Sequence, residues 1–266
     1  MLDHNHMPDI RMIVTDLDRT LLRSDKTISK YTQGVLRACR ARGALLAFAT
    51  GRSEGQSKRA TDIIETDALI SNDGALARAG DTIVHLAELD ARVADRLMAV
   101  CSGNPYVGYI AADTQNGYYV NKPVDENDPN WTEFLPAICA DMRQGLGINT
   151  YKVTVEISDA RAARAIMSEF PDLDVIAYYG ENWYRFANKN AGKWNALYAL
   201  ADYFGVDIKN IAAFGDDTND IDMLRHCGYG VAVEDAADEA RAAAAYTCKN
   251  SDADGVARWL AAHINI

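Results

Sequence analysis

Short, continuously apolar segments alternate with amphipathic ones at both ends of this chain, and the alternation stops in the middle. Residues 11–16 and the stretch ALLAFAT at 44–50 read as strands with no polar face. The segment SKYTQGVLRACRARG between them reads as a helix, with Ser29 as N-cap and Gly43 as terminator. A second helix opens at Ser53 and covers 53–65, and DALISNDG is a short strand running into a turn. Near residue 189 the pattern restarts. It predicts a helix over about 192–204, the strand NIAAFGD at 210–216, a helix at 219–226, a strand at 229–233, and helices near 236–245 and 254–263. Strands apolar on both faces and separated by helices belong in a parallel sheet covered on both sides. The expected fold class is α/β, with a Rossmann-like parallel-sheet core built from residues 1–80 and 189–266.

The intervening stretch, 81–188, has another texture. YVGYIAAD, NGYYVNK, YKVTVEIS, DVIAYYG and NWYRFAN are short, tyrosine-rich and closer to alternating, as half-exposed antiparallel strands are. Helices are expected at about 90–101 and 160–169, and KPVDENDPN reads as a loop. This is the pattern of an α+β domain inserted into the core. It holds eight of the thirteen tyrosines, with Trp131 and Trp183, and tyrosine is foremost good strand material.

Composition narrows the partners rather than the fold. Thirty-eight acidic residues against 27 basic ones give a formal charge of −11, a poor match for nucleic acid or an anionic membrane surface. No stretch is long and apolar enough for a signal peptide or a membrane span. Five scattered cysteines without a C-x-x-C pair read as reduced thiols of a cytoplasmic protein. His4 and His6 are expected in a solvated N-terminal tail.

In an open parallel sheet, ligands bind beyond the carboxyl ends of the strands. Three of the expected core strands end in reactive sequence: TDLDRT, ATGR and GDDTND. Asp16, Asp18, Asp216 and Asp220 cannot crowd together ionised without a countercharge, because like charges at short range raise one another's pKa. An all-oxygen site with few donors favours Mg²⁺, which also accepts a substrate phosphate oxygen. A calcium-binding EF-hand does not fit DDTNDI, where Ile221 stands in the position that needs Gly. At the second strand end, Thr50 offers a hydroxyl, Gly51 close backbone approach and Arg52 a cation, and the next helix N-terminus can cradle an anion. Lys193 opens a helix, a place the dipole disfavours unless an anion lies near. Lys189 competes for the same role.

Taken together, these segments resemble the haloacid dehalogenase (HAD) superfamily. Its D-x-D-x-T motif is matched by Asp16-Leu17-Asp18-Arg19-Thr20, its strand-terminal threonine by Thr50, its lysine by Lys193, and its acidic motif by GDDTNDIDML at 215–224. The large insertion between the second and third motifs resembles the Cof-type subgroup with a class IIB α/β cap. The SNDGA turn at 71–75 resembles that subgroup's NGA segment. Many members carry Gly at the Arg19 position and a small residue at that of Asp217.

The resemblance implies a Mg²⁺-dependent phosphohydrolase acting on a small phosphorylated metabolite, with sugar phosphates first. Asp16 is then the nucleophile that becomes an aspartyl-phosphate, and Asp18 the general acid and base. Mg²⁺ is held by Asp16, the backbone carbonyl of Asp18 and Asp216, with Asp220 as ligand or as support. Thr50, Gly51, Lys193 and Asn219 bind phosphate, and Arg19 and Arg52 are candidate substrate contacts. The cap closes over the site and selects the leaving group. Two other readings stand beside this one: a phosphomutase or phosphotransferase, and a non-catalytic metal- and phosphate-binding regulator.

Overall fold

The computed structural model describes residues 9–125, 136–178 and 182–264. His4, His6, Trp131 and much of the KPVDENDPN stretch lie outside the described residues. The chain divides into two compact units, Met1–His85 with Lys193–Ile266, and Leu86–Gly192.

The first unit runs β1 (Met12–Thr15), α1 (Lys30–Ala41), β2 (Leu45–Ala49), α2 (Glu54–Ile63), β3 (Ala68–Ser71), β4 (Leu76–Ala79) and β5 (Thr82–Leu86). The second unit contributes α3 (Ala91–Ser102), β6 (Val107–Thr114), β7 (Gly117–Val120), β8 (Ala137–Cys139), β9 (Lys152–Ile157), α4 (Ala160–Glu169), β10 (Leu173–Ala177) and β11 (Trp183–Asn188). The first then resumes with α5 (Lys193–Phe204), β12 (Ile211–Gly215), α6 (Ile221–His226), β13 (Tyr229–Val233), α7 (Asp238–Ala243), β14 (Tyr246–Cys248) and α8 (Gly255–His263).

The first unit's sheet has the order β14-β13-β12-β1-β2-β3-β4-β5, and its first six strands pair in parallel. Strand β1 is central, with β2 on one side and β12 on the other, so the chain direction across the sheet switches at its carboxyl end. Successive residues of β1 face opposite layers. Ile13 joins a core with Leu36, Cys39, Val256 and Leu260 of α1 and α8. Met12 and Val14 join another with Ala196, Leu197 and Leu200 of α5. Burial on both faces is why this strand carries no polar residue before Thr15.

Local signals place the helices as expected. The Ser29 hydroxyl accepts from Thr32 N–H, and Ser53 makes a reciprocal capping box with Gln56. Gly43, at φ +90°, takes the left-handed conformation that ends α1. The predicted helix at 219–226 is a 3₁₀ turn, Thr218–Asp220, followed by α6. Strands β4, β5 and β14 carry too little apolar pattern to stand out in the sequence. Because β5 belongs to the first unit's sheet, the units divide at 85/86 rather than at the expected 80/81. On the return they divide at 192/193, and the buried Arg185 Nη1 donates to the Ala191 carbonyl at 3.1 Å just before that point.

In the second unit the sheet order is β10-β11-β9-β6-β7-β8, antiparallel except for the β7–β8 pair. One face packs on α3 and α4 through residues such as Leu97, Met98, Ile110, Val153, Ile166 and Phe186. Tyr109 stacks on Trp183 with ring centroids 6.3 Å apart, and Lys122 Nζ lies 3.9 Å from the Tyr109 ring. The five cysteines are all free thiols, four of them buried and Cys139 exposed. Among the described residues no helix is long and apolar enough to cross a membrane.

Candidate active site

The parallel register brings Asp16 and Asp216 to neighbouring strand ends. Asp16 N–H donates to the Phe214 carbonyl at 2.9 Å, extending the β1–β12 ladder by one residue, and Asp216 follows Gly215 at the end of β12. Lys193, the first residue of α5, reaches both Asp16 Oδ1 and Asp220 Oδ1 at 2.7 Å. Those two carboxylates supply the anions that make a lysine tenable in a first helical turn. Lys189 is exposed and pairs with Asp172 at 3.5 Å, so Lys193 and not Lys189 meets Asp16.

Asp220 folds back over its own turn. Its Oδ2 accepts from the backbone N–H groups of Asp216 at 2.9 Å and Asp217 at 3.1 Å. A side chain at position 215 would put Cβ 2.5 Å from Asp220 Cβ, which is why glycine ends β12. Both Asp220 oxygens are thus engaged. Asp216 Oδ1 accepts from the Thr20 hydroxyl at 3.0 Å, and its Oδ2 lies 3.5 Å from Arg19 Nη1.

Asp16, Asp216 and Asp220 are all buried and offer carboxylate oxygens within 4.8 Å of one another. Burial pushes the Asp16 carboxyl well up; Lys193 works against the shift, and Asp220, Asp216 and Asp18 add to it. Asp216 is pushed up to about 7 by burial and then by Asp220, against the pull of Arg19 and Thr20. Burial also opposes the charge on Lys193, but Asp16, Asp220 and Asp73 outweigh it and hold the ammonium charged. Three acids against one buried ammonium leave an excess of negative charge. An all-oxygen donor set with that excess fits a hard divalent cation.

Asp18 stands apart from this group. Its carboxylate accepts two Arg52 hydrogen bonds of 2.6 Å and one from Lys26 at 2.8 Å. Burial alone would raise its pKa, but the Arg52 fork and Lys26 prevail and hold it down at about 2. Arg52 is therefore a partner of Asp18 in this arrangement. Arg19 sits at φ +61°, a left-handed conformation that disfavours residues other than glycine. Its half-exposed side chain turns back to Asp216 and to the Asp235 carbonyl, 3.4 Å away.

Thr50 is buried at the end of β2, and its hydroxyl accepts from Arg52 N–H at 3.2 Å. Gly51 makes room for another residue: a Cβ there would lie 2.9 Å from Asp73 Oδ1. Asp73 also accepts from Asn219 Nδ2 at 2.8 Å. Asp73 and Lys26 are members of the site that sequence reasoning missed, and Thr20, named there only as part of the motif, gains its role from its bond to Asp216. For Asp73 the signal was an acid two residues past the end of β3, in a turn noted only for its likeness to the NGA segment.

A family model described as haloacid dehalogenase-like hydrolase matches residues 13–260. The 5-amino-6-(5-phospho-D-ribitylamino)uracil phosphatase YitU of Bacillus subtilis (strain 168) is 26% identical over 268 residues, covering 96% of this chain and 98% of that protein. A second Bacillus subtilis phosphatase of the same description, YwtE, is 24% identical over 282 residues, covering 94% and 97%. The solved structure of the HAD subclass IIB sugar phosphatase BT4131 shares the fold, with a TM-score of 0.83 at 22% identity over 96% of this chain and 99% of that one. With the parallel core and the strand-end aspartates in place, the match over residues 13–260 establishes that the chain belongs to the haloacid dehalogenase-like hydrolase family.

Proposed function

We propose that this protein is a Mg²⁺-dependent phosphatase of small phosphorylated metabolites, working through an aspartyl-phosphate on Asp16. The observation that carries the reading is Asp16 beside Asp216 at adjacent strand ends, with Lys193 bonded to Asp16 at 2.7 Å. Asp16 and Asp216 would hold the metal, and Asp220, with both oxygens taken, would orient Lys193 and the Asp216 backbone. When bound, the ion neutralises the facing carboxylates and spreads the charge of the phosphoryl group.

An Asp16 oxygen attacks phosphorus, and the bond from phosphorus to the ester oxygen breaks. Asp18 gives a proton to that oxygen, so an alcohol leaves. Water then attacks the aspartyl-phosphate at phosphorus while Asp18 takes its proton. Inorganic phosphate and the free Asp16 carboxylate result. A carboxyl held near 2 carries no proton at neutral pH, so donation requires that Asp18 first leave Arg52 and Lys26. Thr50 and Lys193 hold the non-reacting phosphate oxygens, with the Gly51 backbone and Asn219 beside them.

The three named relatives are two phosphatases of a phosphorylated ribitylamino compound and one sugar phosphatase. That supports a phosphorylated sugar or polyol as the substrate, and the Leu86–Gly192 unit as the cap that selects it. The test is phosphate release across sugar phosphates, phosphorylated ribityl compounds and nucleotides. Release that stops with chelator and with Asp16→Asn supports the proposal. No release by the wild type with Mg²⁺ across the panel overturns it.

A further inference from the structure

Arg19 keeps a long side chain at φ +61°, where glycine sits without cost. Strain of this kind collects at ligand clamps and switch points, where the side chain that causes it has a use. The contacts that Arg19 makes are slight by comparison. Its Nη1 lies 3.5 Å from Asp216 Oδ2, and its Nη2 donates to the Asp235 carbonyl at 3.4 Å. Both are long for a guanidinium, which bonds a carboxylate at about 2.7–2.9 Å when the two are well matched. Among the described residues Asp216 is the only carboxylate paired with Arg19, whose side chain is 55% exposed. Arg19 is thus loosely held, strained at its root and half in water.

Asp216 cannot serve Arg19 and a metal equally. Its Oδ1 is taken by the Thr20 hydroxyl at 3.0 Å, so the oxygen left for a cation is Oδ2, the one that Arg19 faces. A divalent ion held there and a guanidinium beside the same oxygen repel each other. The loosely held, half-exposed partner is the one that gives way. Once released, the guanidinium keeps its planar fork of N–H donors, which matches a carboxylate or a phosphate. That fork stands next in the chain to Asp18, the proposed donor to the leaving oxygen. We infer that Arg19 is a specificity residue, which leaves Asp216 when metal binds and then receives a second anionic group, a carboxylate or another phosphate, on the leaving part of a phosphorylated sugar. The inference rests on the proposed phosphatase reading for what is received, but not for the release from Asp216.

The release is tested by phenylglyoxal labelling of the full chain, with and without Mg²⁺ and with no other ligand, read at Arg19 by peptide mass spectrometry. Mg²⁺ should speed the labelling of Arg19 severalfold, and slower or unchanged labelling overturns the release. Specificity is tested by hydrolysis with the Mg²⁺-loaded wild type, Arg19→Gly and Arg19→Lys. One substrate pair is a hexose bisphosphate and the matching monophosphate. The other is a phosphorylated sugar acid and the corresponding phosphorylated sugar. The wild type should prefer the doubly anionic member of a pair, measured as a ratio of kcat/KM, and the pair that shows it tells phosphate from carboxylate. Arg19→Gly should reduce that ratio on the order of tenfold, mainly through KM. Arg19→Lys keeps the charge without the fork and should lose less; it carries the comparison if Arg19→Gly does not fold. Damage to folding or to the metal site lowers both members of a pair alike and leaves the ratio unmoved. A wild type without the preference, or a ratio that survives in Arg19→Gly, overturns the inference. Hydrolysis of no monoester at all sinks the phosphatase reading, whereas faster labelling with Mg²⁺ leaves the release from Asp216 standing.

Discussion

Lys193 in the first unit and Arg185 in the second are both buried cations, yet their surroundings differ in kind. Arg185 lies within β11, bonded to Asp174 on the adjacent β10, a diagonal neighbour across the pair, and to the Ala191 carbonyl. Asp174 is 41% exposed, so this pair is one cation and one acid with water at the acid's side. Lys193 faces two buried acids, Asp16 and Asp220, with Asp216 close by. A cation matched one to one along a strand holds a sheet together. A cation outnumbered by buried acids marks a place built to receive further positive charge.

The sharpest way to break that contrast is to remove one member on each side. Asp16→Asn is expected to lower phosphatase turnover by on the order of 10³-fold or more, and Lys193→Ala by about 10²-fold, both read by phosphate release. Lys193→Ala also leaves Asp16 and Asp220 facing without their shared cation, so the metal-free variant should melt several degrees lower. Arg185→Met should act on stability instead. It removes a buried guanidinium and leaves a solvated acid, a loss of about 1–3 kcal/mol in denaturant unfolding, with Mg²⁺ affinity unmoved. If Arg185→Met abolishes Mg²⁺ binding, the distinction between the two cations fails.

A smaller effect is expected at Arg19. Arg19→Gly relieves a left-handed residue worth about 1 kcal/mol and gives up a long, half-exposed ion pair worth at most about as much. The net change in melting should be slight. With one cation fewer near Asp216, Mg²⁺ affinity should rise a few-fold in a calorimetric titration. A fall in affinity would show that Arg19 supports the metal site instead of competing with it.

The smallest effect compares how tightly the two units are closed. Burial pushes the thiols of Cys101, Cys227 and Cys248 up to about 12 and that of Cys39 up to about 11. At pH 8 these thiols stay protonated, and alkylation of the native protein should add one group, at exposed Cys139, read by mass spectrometry. In rising denaturant, the first buried thiol to label, Cys101 or one of the other three, reports which unit opens first.

What the sequence disclosed follows the reach of its signals. Strands buried on both faces announce themselves by composition, so β1, β2 and β12 and the acids at their ends were legible. Ser29, Ser53 and Gly43 act within one turn of chain and were legible for that reason. Thr20 on Asp216, Lys26 on Asp18 and Asp73 on Asn219 depend on how a strand-end turn bends, and turn geometry sets no period. Arg19 shows the limit well. Its place in the resembled motif was visible, but only the observed φ shows that the position favours glycine. Strands β5 and β14 were missed because edge strands need neither a continuous nor a strictly alternating apolar pattern, and β4, next to the edge, is only four residues long with Arg78 inside it.

The pairing of β1 with β12 sets an order in time as well as in space. During synthesis β1 can find β2 almost at once, but its other flank waits for Ile211–Gly215. Roughly 120 residues separate Leu86 from Ile211, on the order of 10 s of translation at about 5–20 residues per second. All of Leu86–Gly192 emerges within that interval and, being one uninterrupted stretch with its own hydrophobic cluster, can fold while the first unit is still half made. Asp16 meanwhile has neither Lys193 nor Asp216 beside it. The proposed nucleophile is written into the first tenth of the chain and gains its partners only in the last third.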